Sequence, residues 1–313
     1  MTAGAGSSLP PRLPVVWHPA YEVDIGPHVF PTAKYRLVRE RLAAEGAAVE
    51  FHRPEPASND DVCLVHTAAY ITKILADRLS PHERLTLEVP FSADLRRASW
   101  LCAGGAVLTA RWALRSGAAV HLGGGFHHAF PDHGEGFCLI NDVATAIRVL
   151  QRAREVRRAM VVDCDVHHGN GTAAVFAGDE SVFTFSIHQE YNYPAFKPPS
   201  DVDIGLEDGA GDESYLAALA ARVPAALDQH RPDLVWYLAG ADPYREDQLG
   251  GLALTIPGLR ERDRMVMGWC GDRGIPAAIA LAGGYARRQE DTIEIHCNTV
   301  RVAAATSRPL SSR

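Results

Sequence analysis

The 313-residue chain reads as an α/β protein with a parallel sheet held between helix layers. Three observations lead there. Short apolar runs rich in Val, Ile, Leu or Phe alternate with amphipathic patterns of helical length. The runs are nearly continuous, as in strands buried on both faces, and do not alternate apolar with polar. No long linker, low-complexity segment or fixed-period repeat separates them, so one domain is expected over residues 14–306. Residues 1–13, which fall in "MTAGAGSSLPPRLP", lack the apolar core of a secretory leader and read as a disordered lead. Residues 307–313, "SRPLSSR", read as a flexible tail.

Taken in chain order, "TAKYRLVRERLAAEG" is an amphipathic helix, with Thr32 as its N-cap and Gly46 as its stop. "ASWLCAGGAVLTARWALRSG" is a mostly buried helix ending at Gly117. The run "AAVHLGGG" follows as a strand. "NDVATAIRVLQRAREV" is a helix opening at Asn141 or Asp142. "RAMVVDCDVHH" and "SVFTFSIHQ" are strands, "DESYLAALAARVPAALDQH" a helix and "DLVWYLAGAD" a strand. "IPGLRERDRMVMGWCGDRG" is a helix, and "AAIALAGGYA" a final strand.

Polar residues cluster just after these strands. His127 and His128 follow the first; Asp163, Asp165, His167 and His168 end the second. Ser186 and His188 close the third, Asp242 the fourth, and Gly283, Gly284 and Tyr285 the fifth. Ligands of open parallel sheets bind outside the carboxyl ends of the strands, so these groups are expected at one edge.

Their chemistry is that of metal-assisted amide hydrolysis. Asp165 and His167 are two apart at a strand end and reach to the same side. Asp242 adds a further oxygen from its own strand. Two carboxylates and one imidazole with an open position suit catalytic Zn²⁺, and the same donors suit non-haem Fe²⁺. A base is needed to activate water; His127 and His128 both qualify, with an ordinary imidazole pKa of about 6.5. Tyr285, after two glycines, offers a phenol to a developing oxyanion. Read singly, Asp163 and Asp165 would be helix caps and Tyr285 a packing residue; neither reading accounts for the whole set.

Bulk properties narrow the partners. The net charge is −7 and the pI about 6.0, without the basic stripe that direct nucleic-acid binding needs. No apolar run approaches the ~20 residues of a membrane span. The six cysteines are scattered and form no CxxC pair, which fits reduced thiols and a cytoplasmic location. The richness in Ala and Arg suggests a bacterial source.

The pieces "GGGFHHA", "GFCLIND", "VVDCDVHHGNG", "FSIH", "GADP" and "LAGGYA" make the chain resemble the zinc-dependent histone deacetylase family. They stand in the family's order and cover roughly residues 14–300. "HVFP", "HHGNG", "YNYP" and "DQLGGLALTIPGLRERD" are most similar to its class IV branch and bacterial relatives. The resemblance implies the three-layer α/β/α arginase/deacetylase fold with a central, mostly parallel eight-stranded sheet. It implies that Asp165, His167 and Asp242 hold zinc, that His128 is the general base, and that His127 is its electrostatic partner. Tyr285 matches the oxyanion donor and Asp163 the carboxylate that orients His127. A structural K⁺ or Na⁺ would be held by Asp163, Asp165, His167, Ser186 and Ile187. Phe137 and Tyr193 match the aromatic walls of the substrate tunnel, with Gly136 beside the upper wall. The implied substrate is an acylated lysine of a protein or peptide.

One position departs from the main pattern. Asn170 stands where most members carry an Asp that orients the base, so His128 is left without a carboxylate partner. Class IV members share that Asn, and their likeness implies a preference for long fatty acyl chains. Gly123, Gly124, Gly125, Gly134, Gly136, Gly283 and Gly284 could leave room for them, or could serve only turns. Arginase-like two-manganese chemistry is disfavoured, because Gly169 and Tyr244 occupy the positions of its further acidic ligands. Acetylated polyamines or other small N-acyl amines are the alternative substrates. A non-catalytic acyl-group sensor is the alternative of another class.

Overall fold

The computed structural model describes residues 12–306. Residues 1–11 and 307–313, which hold most of the expected lead and all of the expected tail, lie outside the described residues. Leu13, assigned above to the lead, instead opens the first strand and is buried.

The strands are β1 (Leu13–Val16), β2 (Val49–His52), β3 (Ala118–His121), β4 (Ala159–Asp163), β5 (Val182–Gln189), β6 (Val202–Leu206), β7 (Leu234–Leu238) and β8 (Ala277–Ala280). They form one eight-stranded sheet in the order β2-β1-β3-β8-β7-β4-β5-β6, and every neighbouring pair is parallel. The five apolar runs of the sequence thus occupy five adjacent central positions, β3-β8-β7-β4-β5. The additional strands lie to either side of that block. β6 is half-exposed, and Pro14 makes β1 a poor candidate for an interior strand. β1 accommodates Pro14 because its pairing with β3 begins only at Val15↔Val120.

The helices are α1 (Lys34–Ala44), α2 (Asn59–Val62), α3 (Ala68–Leu75), α4 (Pro81–Leu87), α5 (Ala93–Ser116), α6 (Asp142–Arg152), α7 (Asn170–Phe176), α8 (Asp212–His230), α9 (Ile256–Asp272) and α10 (Gln289–Thr306). They cover both faces, as buried parallel strands require. Thr32 does not cap α1. Its hydroxyl donates to the Val23 carbonyl (2.7 Å), and Ala33 takes the cap position without a side-chain bond. Asn141 does cap α6: its Oδ1 accepts from Ala144 N (2.9 Å). α5 starts earlier than its apolar pattern suggests, because Ser92 caps it by accepting from Leu95 N (3.0 Å). α10 is hidden in the sequence by its Thr, Ile and Val content, which lowers helix propensity; burial against α9 and α1 overrides it.

One buried ion pair ties this scaffold to the strand ends. Arg262 on α9 donates from Nε (3.0 Å) and Nη2 (2.8 Å) to Asp263 Oδ1. Tyr237 OH and Thr299 Oγ1 also donate to Asp263, so its carboxylate is satisfied on both oxygens. Arg262 Nη1 then donates to the carbonyls of Gly240 (2.6 Å) and Cys164 (3.3 Å), in the segments that follow β7 and β4. Breaking a buried pair from one side strands the other charge. Arg262→Leu should therefore cost about 3 kcal/mol or more in urea unfolding. Arg262→Leu/Asp263→Asn should recover part of that loss; a double variant no more stable than the single one would contradict the pairing.

Candidate active site

The site starts where β4 ends. Asp163 Oδ1 accepts from Asp165 N (3.1 Å), and Asp165 Oδ1 accepts from His167 N (3.0 Å). These short loops of side chain to backbone turn the chain and bring Asp165 and His167 to one side. Register sets Asp163 level with Leu238 of β7, so the loop after β7 delivers Asp242 beside them. Val166 N donates to Asp242 Oδ1 (3.0 Å) and Gly283 N to Asp165 Oδ2 (2.8 Å). His167 Nδ1 lies 3.0 Å from Asp165 Oδ1 and 3.4 Å from Asp242 Oδ2. One ligand atom from each of Asp165, His167 and Asp242 falls within 4.8 Å of the others. All three residues are buried.

Two features fit this trio to a cation. Asp242 Oδ2 is buried with no hydrogen-bond partner, an arrangement that is costly for a carboxylate unless a positive charge faces it. Gly283 is also required: a Cβ there would lie 1.9 Å from Asp242 Oδ2 and 2.6 Å from Asp165 Oδ2. Burial and the charge of Asp165 push the Asp242 carboxyl up to about 7. Burial lowers the His167 imidazole, but Asp165 and Asp242 outweigh it and raise it to about 10. A site that draws a proton this strongly has the charge balance to hold a divalent ion.

The two adjacent histidines have different partners. His127 Nδ1 donates to Asp163 Oδ2 (2.7 Å). Burial lowers its pKa, but Asp163 and Asp165 raise it to about 9. His128 Nδ1 donates to Asn170 Oδ1 (2.7 Å). Burial, then the neighbouring His127 and His167, push His128 well below the usual imidazole range. Its Nε2 is 3.1 Å from His127 Nε2, so the two rings face one another across the cavity edge. Among the described residues, His128 bonds the Asn170 amide and no carboxylate directly. Asn170 Nδ2 donates to Glu135 (2.5 Å), so a carboxylate stands one residue further back.

Tyr285 lines the same cavity, its phenol kept protonated by burial and by Asp165 and Asp242. Asp247, to which the sequence assigned no role, positions it by accepting from Tyr285 N (2.7 Å) while its other oxygen accepts from Leu249 N (2.8 Å). Phe137 and Tyr193 face the cavity as expected, and Phe30 stacks on Phe137 with ring centroids 5.8 Å apart. Gly136 has φ +52°, and a Cβ there would meet His128 Cδ2 at 2.6 Å and Tyr193 Cε1 at 2.9 Å. Its lack of a side chain therefore lets His128 and Tyr193 approach one another.

Lys34 is another residue the sequence did not mark. It is wholly buried, and its Nζ donates to the Ala282 carbonyl (2.7 Å) and lies 5.5 Å from the Tyr285 ring. Burial lowers it to about 8, while Asp242, Asp165 and Asp247 act to keep it charged. Ser186 and Ile187 are buried on β5, with Ser186 level with Asp163; the Ser186 hydroxyl bonds His188 Nδ1 (2.9 Å). His168, His188 and Asp203 form a second trio of close ligand atoms, with His168 Nε2 donating to Asp203 Oδ1 (3.0 Å).

Of the glycines suggested as acyl room, Gly124, Gly125, Gly136 and Gly283 line the cavity. At Gly123, Gly124, Gly125, Gly134, Gly136, Gly283 and Gly284 an added Cβ would meet another atom at 1.9–2.9 Å. Their missing side chains are filled by neighbours. The cavity itself measures about 190 Å³.

Comparison with known proteins places this geometry. Residues 28–300 match the histone deacetylase domain. An uncharacterized protein of Picosynechococcus sp. is 40% identical over 93% of this chain and 98% of its own length. A protein of Methanothermobacter thermautotrophicus described as a "Probable deacetylase" is 31% identical over 87% of this chain and 85% of its own. The crystal structure of the HDA15 HD domain superposes with a TM-score of 0.79 at 23% identity, covering 94% of this chain and 90% of that one. That likeness establishes the arginase/deacetylase fold. Among the described residues, no helix is long and apolar enough to cross a membrane. The six cysteines are free.

The loop carrying the histidine pair also rests on a buried neutral histidine. His66 Nδ1 donates to Phe130 O (2.9 Å) and its Nε2 accepts from Asn141 N (2.9 Å), so both nitrogens are committed. Burial lowers its pKa from 6.5 to about 4, against the carbonyl bonds that raise it. The unfolded chain protonates this side chain first as pH falls. Its contribution is therefore present above pH 6.5 and is lost between 6.5 and about 4. Denaturant unfolding at pH 7 and pH 4 should lose about 3 kcal/mol less in His66→Gln than in the wild type. An equal loss in both would show that His66 does not titrate as bonded here.

Proposed function

The chain belongs to the histone deacetylase family, and from that premise we propose that it is a zinc-dependent lysine deacylase. Amide hydrolysis is the family's chemistry; the lysine substrate and the zinc are the parts we add. The observation that carries the reading is the orphaned Asp242 Oδ2, held with Asp165 and His167 in one cavity with His128 and Tyr285. Asp165, His167 and Asp242 would hold the ion. When bound, it supplies Lewis acidity to water and to the amide carbonyl.

The chain's own residues do the rest. Phe137 and Tyr193 receive the alkyl stem of the acylated lysine between aromatic walls. His128, neutral at Nε2, takes a proton from water as the new C–O bond forms. His127, kept protonated by Asp163, places a positive charge beside the developing negative one. The Tyr285 phenol donates to the carbonyl oxygen as it gains charge. His128 then passes its proton to the leaving nitrogen as the C–N bond breaks, releasing a free amine and a carboxylate. A structural K⁺ or Na⁺ at Asp163, Asp165, His167, Ser186 and Ile187 belongs to the same reading, supported by the register that sets Ser186 level with Asp163.

The division of labour is testable by elemental analysis and turnover together. Asp242→Ala should lose one bound divalent ion per chain and its activity. His128→Ala and Tyr285→Phe should keep the ion and lose roughly 10²–10⁴-fold in kcat. An unchanged ion content in Asp242→Ala, or a wild-type rate in Tyr285→Phe, would refute the assignments. Because His168, His188 and Asp203 can also collect an ion, the informative quantity is the loss in the variant rather than the total.

Acyl length follows from volume. Each buried CH₂ favours binding by about 0.8 kcal/mol, but only where space admits it. The glycine positions around the cavity are filled. We therefore expect kcat/KM on one peptide to fall from acetyl- to octanoyl- to myristoyl-lysine, with acetylated polyamines below the acetyl peptide. A rise toward myristoyl would reveal the long-chain pocket implied by the class IV likeness. A polyamine preferred over the acetyl peptide would shift the substrate to small N-acyl amines.

A further inference from the structure

We propose that Glu135 is the carboxylate that serves the base histidine in this chain, acting as a positioning residue through the side-chain amide of Asn170. The proposal rests on His128 being the base and adds what sets its tautomer. The Asn170 side chain is buried between the two groups. Its Oδ1 lies 2.7 Å from His128 Nδ1, and its Nδ2 lies 2.5 Å from Glu135 Oε1. An amide can present either end to an imidazole, and each end selects a different tautomer. If Nδ2 faced His128, that nitrogen would have to accept, and the proton would move to Nε2. A base protonated at Nε2 cannot take a proton from water.

Glu135 removes this ambiguity. An ionised carboxylate only accepts, so the NH₂ end of Asn170 must face it and the carbonyl must face His128. His128 Nδ1 must then carry the proton, which leaves Nε2 free. The carboxylate also draws charge toward the amide oxygen, which strengthens the bond from His128.

Glu135 is itself held in place. Tyr193 OH donates to the same Oε1 (3.1 Å), and His133 Nε2 lies 3.5 Å from Oε2. Its main chain is fixed by Cys138 N, which donates to the Glu135 carbonyl (2.9 Å). The Glu135 side chain is only 19% exposed. Through Tyr193 it also links the tunnel wall to the base, since the Tyr193 ring stands edge-on to His128 with centroids 5.0 Å apart. His127 and His128 thus differ in how they reach a carboxylate. His127 touches Asp163 directly, whereas His128 reaches Glu135 through an amide.

The test is a polarity swap, with zinc content and thermal midpoint measured on every variant. Glu135→Gln keeps the shape and removes the charge. It should lower kcat about 10-fold with KM nearly unchanged, a fraction of the roughly 10²–10⁴-fold due to a base. Asn170→Asp alone sets two carboxylates against each other and should lose about 100-fold in kcat. Combined with Glu135→Gln, the new amide can donate to the new carboxylate, which can still accept from His128. The double variant should return to within about 10-fold of wild type, a strong positive coupling. Histidine ¹⁵N spectra, with His128 identified by its absence in His128→Ala, should show Nδ1 protonated in the wild type. In Glu135→Gln they should show a mixture of tautomers.

A wild-type kcat and an unchanged tautomer in Glu135→Gln would overturn the proposal. So would a folded double variant no faster than Asn170→Asp. If Asn170→Asp does not fold, Glu135→Gln decides alone. An active His128→Ala would instead overturn the assignment of the base, so the two failures are distinguishable.

Discussion

Two carboxylates, Asp165 and Asp242, are buried against one imidazole, and the remainder of the structure is arranged around that cost. Like charges this close, away from water, repel strongly and lose hydration. The chain offsets this with fixed dipoles and distant cations. Backbone amides of Val166 and Gly283 bond the two carboxylates. The buried ammonium of Lys34 lies beneath the ring of Tyr285 and acts electrostatically on both aspartates. What is left is one oxygen without a hydrogen bond, Asp242 Oδ2, faced by the His167 ring at 3.4 Å, and a net demand for positive charge.

That demand explains why the scaffold is rigid where it is. The aspartates sit on loops after different strands, so their separation depends on the register of β4 and β7 and on how the loops leave the sheet. Arg262 bonds the carbonyls of Cys164 and Gly240, one residue before Asp165 and two before Asp242. A guanidinium buried at 0% exposure is costly, yet here its donors are spent on Asp263 and on the two chain segments that set the site. Gly283 completes the arrangement, because any larger residue would push the carboxylates apart.

The histidine pair shows how environment separates two identical side chains. Both are buried and adjacent, and their Nε2 atoms are 3.1 Å apart. A direct carboxylate keeps the proton on His127, while burial and the neighbouring His127 and His167 keep His128 neutral against the bond to Asn170. A charged imidazole next to a neutral one is the pairing that a proton transfer and a charge to be stabilised require.

The sequence by itself was enough for the architecture and for which residues of the candidate site come together. Continuous apolar runs identify central parallel strands, since only burial on both faces removes the polar alternation; all five runs fall in adjacent positions. Residues that end those runs meet at one edge because parallel strands share a direction. The half-exposed β6, whose exposure alternates along the strand, and β1, with Pro14, escape because their pattern is not that of a core strand. Thr32 was misplaced because a capping residue is recognised by its local position, while its hydroxyl found a better acceptor in Val23. Tertiary structure alone decided the rest. The roles of Lys34, Asp247, Arg262 and Glu135 are not legible locally, since what each does depends on a partner far along the chain. Lys34 bonds Ala282, and Glu135 bonds Asn170 and Tyr193. Whether a glycine is empty room or a filled contact likewise depends on which atom stands beside it, and only the folded chain determines that.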